Sequence, residues 1–359
     1  MSATIFPPQA AAALTVNLSA LTENYRLFRK MTGADVAGVL KADAYGTGVI
    51  PVFKALLHEG CRRFFVATPD EAAQLRGIDK ACEIMVLGGL YKGAEDFYIA
   101  HTITPVLNCG SDLERWKSAA AHAGRAPPCA LHFDTGMNRL GFAATAEIDA
   151  GGLDVRLVMT HFACSDEKDH PMNEAQTKAF AEIAKRWPDA PKSLCNSSGL
   201  FRNKEWHYDI VRPGFALYGG NPTPEADNPM HAVVSLNTRV LQTRNVKKGE
   251  SAGYGATHVF EKDTRTATVA IGYADGFLRS GSSKAKLYRD GIACPVVGRV
   301  SMDLVIVDIG HLPRPPQEGE WMEVLGPHQD VDALAADLGT IGYEVLTSLG
   351  ARYARRYEG

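Results

Sequence analysis

The stretch VLKADAYGTGVI (residues 39–50) holds an apolar run that ends on Lys41 and opens at once into Asp43, Tyr45, Gly46 and Gly48. A strand that stops on a lysine and enters a glycine-rich turn is either a surface connection or the floor of an active site, and its neighbours decide which. From residue 36 to about 220 the chain repeats the pattern, with short runs VAGVL (36–40), FFVAT (64–68), IMVLG (84–88), ITPVL (103–107), CALHF (129–133), LVMTH (157–161), KSLCN (192–196) and YDIVR (208–212). Each is nearly continuous in apolar character, as expected of parallel strands covered by helices on their outer side. Helix signals lie between them. TPDE (68–71) reads as a capping box with Pro69 at the first helical position, SDLE (111–114) as a second box, and NEAQTKAFAEIAKRW (173–187) has a helical apolar period. Eight βα units imply a (β/α)8 barrel. The rival, an open doubly wound sheet, lacks a G-x-G-x-x-G after the first strand.

GGNPTPEADNPM (219–230) reads as a linker, and beyond it the period changes. VVSLNTRVLQTRNV, TATVAIGY and MDLVIVDIG look like half-buried strands, and Asp290-Gly291 is a hairpin signal. DALAADLGT and GYEVLTSLGARYARRY read as short helical segments. The expected fold is therefore a TIM-type barrel over residues 1–228 followed by a mainly antiparallel β domain over 229–359.

Composition narrows the function classes. Of 359 residues, 45% are apolar and 22% charged, with a net charge of -3, so the chain can bury a full core and carries no basic footprint for nucleic acid. No apolar run approaches the roughly 20 residues that cross a bilayer, and MSATIFPPQAAAALTVNLSAL lacks the basic-then-apolar order of an export signal. The expectation is a cytoplasmic protein with no membrane or nucleic-acid partner. Seven cysteines are scattered singly with no C-x-x-C, which points to reduced thiols rather than a disulfide framework or a zinc site.

In a barrel, reactive side chains sit where strands end and loops begin. That rule selects Lys41, His161, Asn196, Ser197 and Arg212 at strand ends, with Asp134 and Arg139 in the loop after the fifth strand. One at a time each has a dull explanation: a core histidine, a surface salt bridge, a turn glycine. Together they converge on one mouth. A lysine partly removed from water and near other cations has a lowered pKa and can form a Schiff base with an aldehyde. Tyr45 and Ser197 are hydroxyl donors, and the amides around Gly214 and Phe215 suit an anion after strands seven and eight. A Schiff-base lysine beside a phosphate cradle implies pyridoxal 5'-phosphate; no metal site is indicated.

With these residues in view, the chain resembles the alanine racemases of the pyridoxal-phosphate barrel type, from about Val16 to the C-terminus. KADAYGTG (41–48) is similar to that family's lysine motif, DTGMNRLGF (134–142) to its arginine loop, THFACSDE (160–167) to its histidine segment and RPGFALYG (212–219) to its phosphate-side segment. AGYGATH (252–258) and GRVSMD (298–303) resemble its C-terminal motifs, in the family's order. The resemblance implies Lys41 and Tyr254 as the two racemising bases, with Lys41 also bonded to the cofactor. It implies Arg212 at the pyridine nitrogen, His161 against the ring, and Tyr45, Asn196, Ser197, Gly214 and Phe215 around the phosphate. Arg139 and the backbone of Met302 would hold the substrate carboxylate. It further implies a homodimer with shared sites, each β domain serving its partner's barrel, and a role in supplying D-alanine for peptidoglycan.

Physical reasoning accommodates these roles. Racemisation removes a proton from one face of a carbon and returns one to the other, so bases must flank it. Tyrosine ordinarily titrates near 10, so Tyr254 needs nearby positive charge, with Arg212 and His161 as candidates. An arginine at the pyridine nitrogen keeps its proton and leaves that nitrogen neutral.

The chain also departs from the family's pattern. Thr47 stands where the lysine motif commonly has histidine. His132 stands where many members have a carbamate-bearing lysine that steadies the arginine, which leaves Asn138 as the expected support for Arg139. Ala351 aligns with a gate tyrosine, Tyr353 and Tyr357 being the nearest substitutes. The closest alternative is another amino-acid racemase on the same scaffold; alternatives of other classes are a barrel-type amino-acid decarboxylase and a non-catalytic pyridoxal-phosphate carrier.

Overall fold

The computed structural model describes residues 6–359. Residues 1–5, the start of the segment read for an export signal, lie outside the described part.

The expected barrel forms and closes. Its strands are β2 (Asp35–Val36, continued by Gly38–Val39), β3 (Arg63–Val66), β4 (Glu83–Val86), β5 (Thr104–Leu107), β6 (Pro128–Asp134), β7 (Asp154–Met159), β8 (Lys192–Ser193) and β9 (Ile210–Val211). All the ladders from β2 to β8 are parallel, and β9 pairs with β2 in the register Ile210↔Asp35 and Val211↔Val36. Backbone bonds Asp209 N–H to Lys192 O (3.1 Å) and Arg212 N–H to Cys195 O (3.0 Å) join β8 to β9 and complete the ring. The strands are buried on both faces, which is why their sequences are continuous rather than alternating.

Helices α2 (Val49–His58), α3 (Pro69–Ile78), α4 (Glu95–Ala100), α5 (Gly110–Ala123), α6 (Pro171–Arg186) and α7 (Ser197–Arg202) follow their strands. Thr68 and Glu71 make the expected capping box at α3. The second box does not form. Helix α5 begins at Gly110, and Asp112 instead accepts the Asn108 N–H at 3.1 Å. Nor are there eight full βα units, because residues 135–153 hold no helix and β9 leads only into a 3-10 turn, Phe215–Tyr218. Glycines 136, 141, 151 and 152 interrupt the fifth connection, and three of them have positive φ. Helix α1 (Leu18–Met31), which comes before the first barrel strand, packs against that 3-10 turn and α2.

The second sheet corrects the expected boundary. Strand β1 (Ala12–Asn17) belongs to it rather than to the barrel, running between β10 (Val234–Val246) and β16 (Ala354–Glu358). Only the β1–β16 ladder is parallel. The rest of the sheet, β11 (Thr264–Val269), β12 (Lys286–Arg289), β13 (Ile292–Pro295), β14 (Val305–Asp308) and β15 (Trp321–Leu325), is antiparallel. The hairpin at Asp290-Gly291 forms, with both residues at positive φ (49° and 79°) as a type I′ turn requires. The C-terminal segment read as helical divides: α8 (Val331–Leu338) and α9 (Gly342–Thr347) are helices, whereas residues 354–358 form β16. Edge pairing with β1 outweighs the weak helical pattern there.

The presumed linker is pinned. Asn24, fully buried in α1, donates to Leu217 O (3.2 Å) and His231 O (2.9 Å) and accepts from His231 N–H (2.8 Å). One apolar cluster runs through both parts of the chain, from Phe64, Phe133 and Trp116 of the barrel to Leu287, Met322 and Leu346 of the β domain. Because Leu14 is wholly buried between two neighbouring strands, Leu14→Ala should lower stability by about 3 kcal/mol, read as a shift in urea midpoint, although it lies far from any candidate catalytic group.

Candidate active site

Strand β2 ends at Val39, and Leu40 N–H is the last to bond into the barrel, to Phe65 O at 2.8 Å. Beyond Lys41 the backbone turns left-handed at Ala42, Asp43, Ala44 and Tyr45, with φ between 53° and 56°. For side chains with a Cβ this costs roughly 1–2 kcal/mol per residue, so other contacts must hold it. Glu71 is the main clamp. Its carboxylate accepts Ala42 N–H (2.6 Å), Ala67 N–H (2.7 Å) and Thr68 N–H (3.1 Å), tying the lysine turn to the next loop. Asp43 accepts Val49 N–H (2.7 Å), and Arg355 of β16 donates to Gly46 O (2.8 Å). Gly46 and Gly48 have no room for a side chain, since a Cβ would lie 2.2 Å from Leu346 O and 2.1 Å from the Tyr357 hydroxyl. Thr47 is fully buried, with its hydroxyl on Ala44 O.

The turn delivers Lys41 to a cavity of about 270 Å³ at the barrel mouth. Tyr45, Arg139, His161, Asn196, Ser197, Arg212, Gly214 and Phe215 line the same cavity. Asp134 does not line it; its carboxylate accepts Gly136 N–H (2.8 Å) inside the arginine loop. Among the described residues, three cations face the cavity and no carboxylate does. Arg212 is the most constrained of the three. It donates to Ser193 Oγ, to Thr160 O (2.7 Å) and to Nδ1 of His161 (3.3 Å), and lies over the Phe65 ring. Burial pulls its pKa down to about 10, so it remains charged at neutral pH. Ser197 Oγ accepts Gly214 N–H (2.9 Å) and Ala216 N–H (3.3 Å), which gathers hydroxyl and amides at one end.

Burial, then the Arg139 charge, lower the pKa of Lys41, with Glu71 opposing. Burial and then Arg212 hold His161 well below the ordinary histidine range. His132, also on the cavity wall, is pushed down to about 4 by the same two causes. The cavity therefore presents three cationic groups and two uncharged imidazoles to whatever it binds.

Two of the candidate residues are elsewhere. Tyr254 and Met302 lie on the β domain, 71% and 54% exposed, and do not line this chain's cavity. Tyr343 of α9 does line it, and the sequence reading missed it. Its ring stacks on Phe215 at 4.1 Å and sits 6.2 Å from Tyr45. Ala351, the position aligned with the gate tyrosine, is exposed and off the cavity, and the substitutes Tyr353 and Tyr357 do not line it either. Tyr353 is buried with its hydroxyl on Asp275 O (2.5 Å), and Tyr357 abuts Gly48. A tyrosine in a short helix of the other domain gave no local signal; only packing brings it here. Asn138 is not the support expected for Arg139. It is an exposed residue at φ 56°, and no hydrogen bond links the two side chains among the described residues.

Comparison with known proteins identifies the family. The family model for the alanine racemase N-terminal domain matches residues 16–222, and that for the C-terminal domain matches 233–357. The chain belongs to the alanine racemase family. It is 47% identical to an alanine racemase of Rhodospirillum rubrum (98% of this chain, 97% of that one) and 45% identical to a catabolic alanine racemase of Mesorhizobium japonicum (98% and 94%). Among solved structures it superposes on the Bartonella henselae alanine racemase with covalently bound pyridoxal phosphate at a TM-score of 0.94, with 35% identity over 97% of this chain and 99% of that one.

For a member of this family the lowered Lys41 pKa has a measurable source. Removing the positive neighbour in Arg139→Gln should move the Lys41 titration upward, because Arg139 disfavours the charged lysine. The pH dependence of Lys41 reductive methylation, followed by mass spectrometry, checks this, and an unchanged or lowered midpoint would refute it.

Proposed function

We propose that this chain interconverts L- and D-alanine on pyridoxal 5'-phosphate, with Lys41 and a partner subunit's Tyr254 as the two bases. The observation that carries the reading is a half-buried lysine in a cavity that, among the described residues, has two arginines and no carboxylate. That donor set fits a ligand bearing a phosphate together with a substrate carboxylate. The space beside Gly214 fits as well, since a Cβ there would stand 2.4 Å from the Tyr45 hydroxyl and fill the region where amides and hydroxyls converge. When bound, the cofactor withdraws electrons from the alanine α carbon and so acidifies its proton.

The residues of this chain then divide the work. Lys41 would hold the cofactor covalently and move a proton on one face, and its lowered pKa makes the uncharged, proton-accepting form more available near neutrality. Arg212, fixed by Ser193 and Thr160, would donate to the pyridine nitrogen and keep its own proton, which leaves that nitrogen neutral. His161, held uncharged and oriented by Arg212, would lie against the ring. Tyr45, Asn196, Ser197, Gly214 and Phe215 would surround the phosphate, and Arg139 would take the alanine carboxylate.

Among the described residues, Tyr254 does not line the cavity of its own chain. Tyr254 and Met302 are exposed on the β domain together with Val259, Tyr273 and Leu304. A two-fold homodimer that lays each β domain over the other's mouth would place Tyr254 opposite Lys41 and the Met302 backbone beside Arg139, an isologous arrangement. The metabolic use attached to this reading is supply of D-alanine for peptidoglycan in the cytoplasm.

Purified protein with cofactor should convert L-alanine to D-alanine and release no carbon dioxide. Lys41→Ala should lose both turnover and the visible absorption of the lysine-bound cofactor, whereas Tyr254→Phe should keep the absorption and lose racemisation. Tyr254→Phe should also retain α-proton exchange for one enantiomer more than for the other; equal loss for both would count against two bases.

A mixing experiment addresses the shared site. Inactive Lys41→Ala and Tyr254→Phe chains, unfolded together and reassembled, should regain roughly a quarter of wild-type activity, because about half the dimers are mixed and each mixed dimer holds one intact site. No recovery would mean that each site is built within one chain.

A further inference from the structure

Arg352 follows the helix that carries Tyr343, lies off the cavity and takes no part in the proposed reaction. It joins two carboxylates of the β domain. Its Nε donates to Asp275 Oδ1 and its Nη1 to Asp303 Oδ1, each at 2.7 Å. Asp275 is 6% exposed, and its other oxygen accepts Gly272 N–H at 2.9 Å, which closes the 3-10 turn Tyr273–Asp275. That turn lies directly on the bend before β14. Ala274 N–H donates to Met302 O (3.0 Å) and Tyr273 N–H to Ser301 O (3.1 Å), and a Cβ on Gly272 would stand 2.3 Å from Met302 O. With its carbonyl taken, Met302 keeps an N–H that meets no acceptor among the described residues. Ser301 N–H closes the bend on Leu304 O (3.0 Å), and the Asp303 carboxylate inside it meets Arg352 and no other partner among the described residues.

We propose that Arg352 is a positioning residue for the partner's site: by gripping Asp275 and Asp303 together it holds the Met302 N–H where the substrate carboxylate arrives beside the partner's Arg139. The proposal rests on the reading of Met302 as part of a shared site. Arginine suits the place for two physical reasons. Its planar fork holds two carboxylates in a fixed geometry, which the single ammonium of a lysine does not. Its charge also offsets the Asp303 carboxylate, which would otherwise stand next to the Met302 amide and repel an incoming anion. The same node is tied to the chain's own barrel mouth. Asp275 O accepts Gly350 N–H (3.0 Å) and the Tyr353 hydroxyl (2.5 Å), both in the segment that continues from α9 and Tyr343. The bend offered to one mouth is thus fixed against the segment that lines the other.

The test uses the holoenzyme, with propionate, a carboxylate without an amine, as a competitive inhibitor of racemisation. Arg352→Gln should raise the propionate Ki and the KM for alanine about ten-fold, the scale of one hydrogen bond to a charged group. The kcat should change far less, because the amide binds the carboxylate throughout the reaction. Arg352→Lys, which keeps the charge without the fork, should still raise the Ki by a few-fold. An unchanged Ki in either variant would overturn the proposal. Hydrogen exchange followed by mass spectrometry should quicken at residues 299–304 of Arg352→Gln and not at the lysine turn, 41–48. No change at 299–304, or faster exchange at both, would overturn it as well.

The decisive measurement is assembly in trans. Arg352→Gln chains and Lys41→Ala chains are unfolded together and reassembled. The working site of each mixed dimer then joins the Lys41 of one chain to the Met302 bend of the other, whose Arg352 is intact, so it should show the wild-type KM. A raised KM in every active dimer would mean that Arg352 serves its own barrel, against the proposal. Reassembly of Lys41→Ala with Tyr254→Phe keeps the two readings apart. If that pair regains no activity, the shared site fails and the proposal falls with it; recovery there with a raised KM here sinks the proposal alone. Should Arg352→Gln fail to fold, Arg352→Lys takes its place throughout.

Discussion

The barrel mouth depends on four consecutive residues held in the left-handed region directly after Lys41. Such a turn does not persist alone, and the chain stabilises it from three directions. Glu71 reaches in from the next βα loop, Asp43 caps the start of α2, and Arg355 bonds Gly46 from the last strand of the β domain. The lysine therefore stands at a point where both halves of the protein meet. Contacts between α9 and the same turn, through Leu346 and Gly46, leave no room for a side chain and fix the two domains against each other.

The first and last strands of the described chain share one sheet at that junction. Strand β1 pairs with β16, and α1 then carries the chain into the barrel while Asn24 binds the return segment at Leu217 and His231. A β domain secured at β1, at the pinned linker and at α9 cannot swing freely over its own barrel. Its Tyr254 and Met302 stay exposed while its Tyr343 reaches the cavity. In the proposed dimer the same domain serves two mouths, closing one with Tyr343 and completing the other with Tyr254.

Charge inside the cavity follows from exclusion. With Lys41, Arg139 and Arg212 present and, among the described residues, no carboxylate on the wall, the neutral imidazole of His161 meets Arg212 without cancelling its charge. Arg212 illustrates the other half of the arrangement. It is anchored by a serine hydroxyl and a main-chain carbonyl, both uncharged, so its orientation is set while its charge is retained.

Much of this was legible in the residue order. The doubly buried strands betrayed themselves as unbroken apolar runs, the capping box at Thr68 marked α3, and Asp290-Gly291 marked a hairpin, because each of these signals is local and has a period or a φ requirement of its own. The strand-end rule found every barrel residue of the cavity that carries a positive charge, since strand ends in a parallel barrel all face one way. What the order of residues could not settle was anything decided by pairing across distance. The membership of β1 in the second sheet, the strand at 354–358 and the helix-free loop at 135–153 were outcomes of competition between weak local preferences and long-range ladders. The seat of Tyr343, the Glu71 clamp and the Asn108–His132 pair belong to the same class, for no spacing along the chain encodes contact between residues from separate elements. Sequence by itself determined the barrel, the lysine turn and the chemistry of the charged set; only the tertiary structure decided which neutral side chains orient those charges, because orientation is a property of packing in three dimensions.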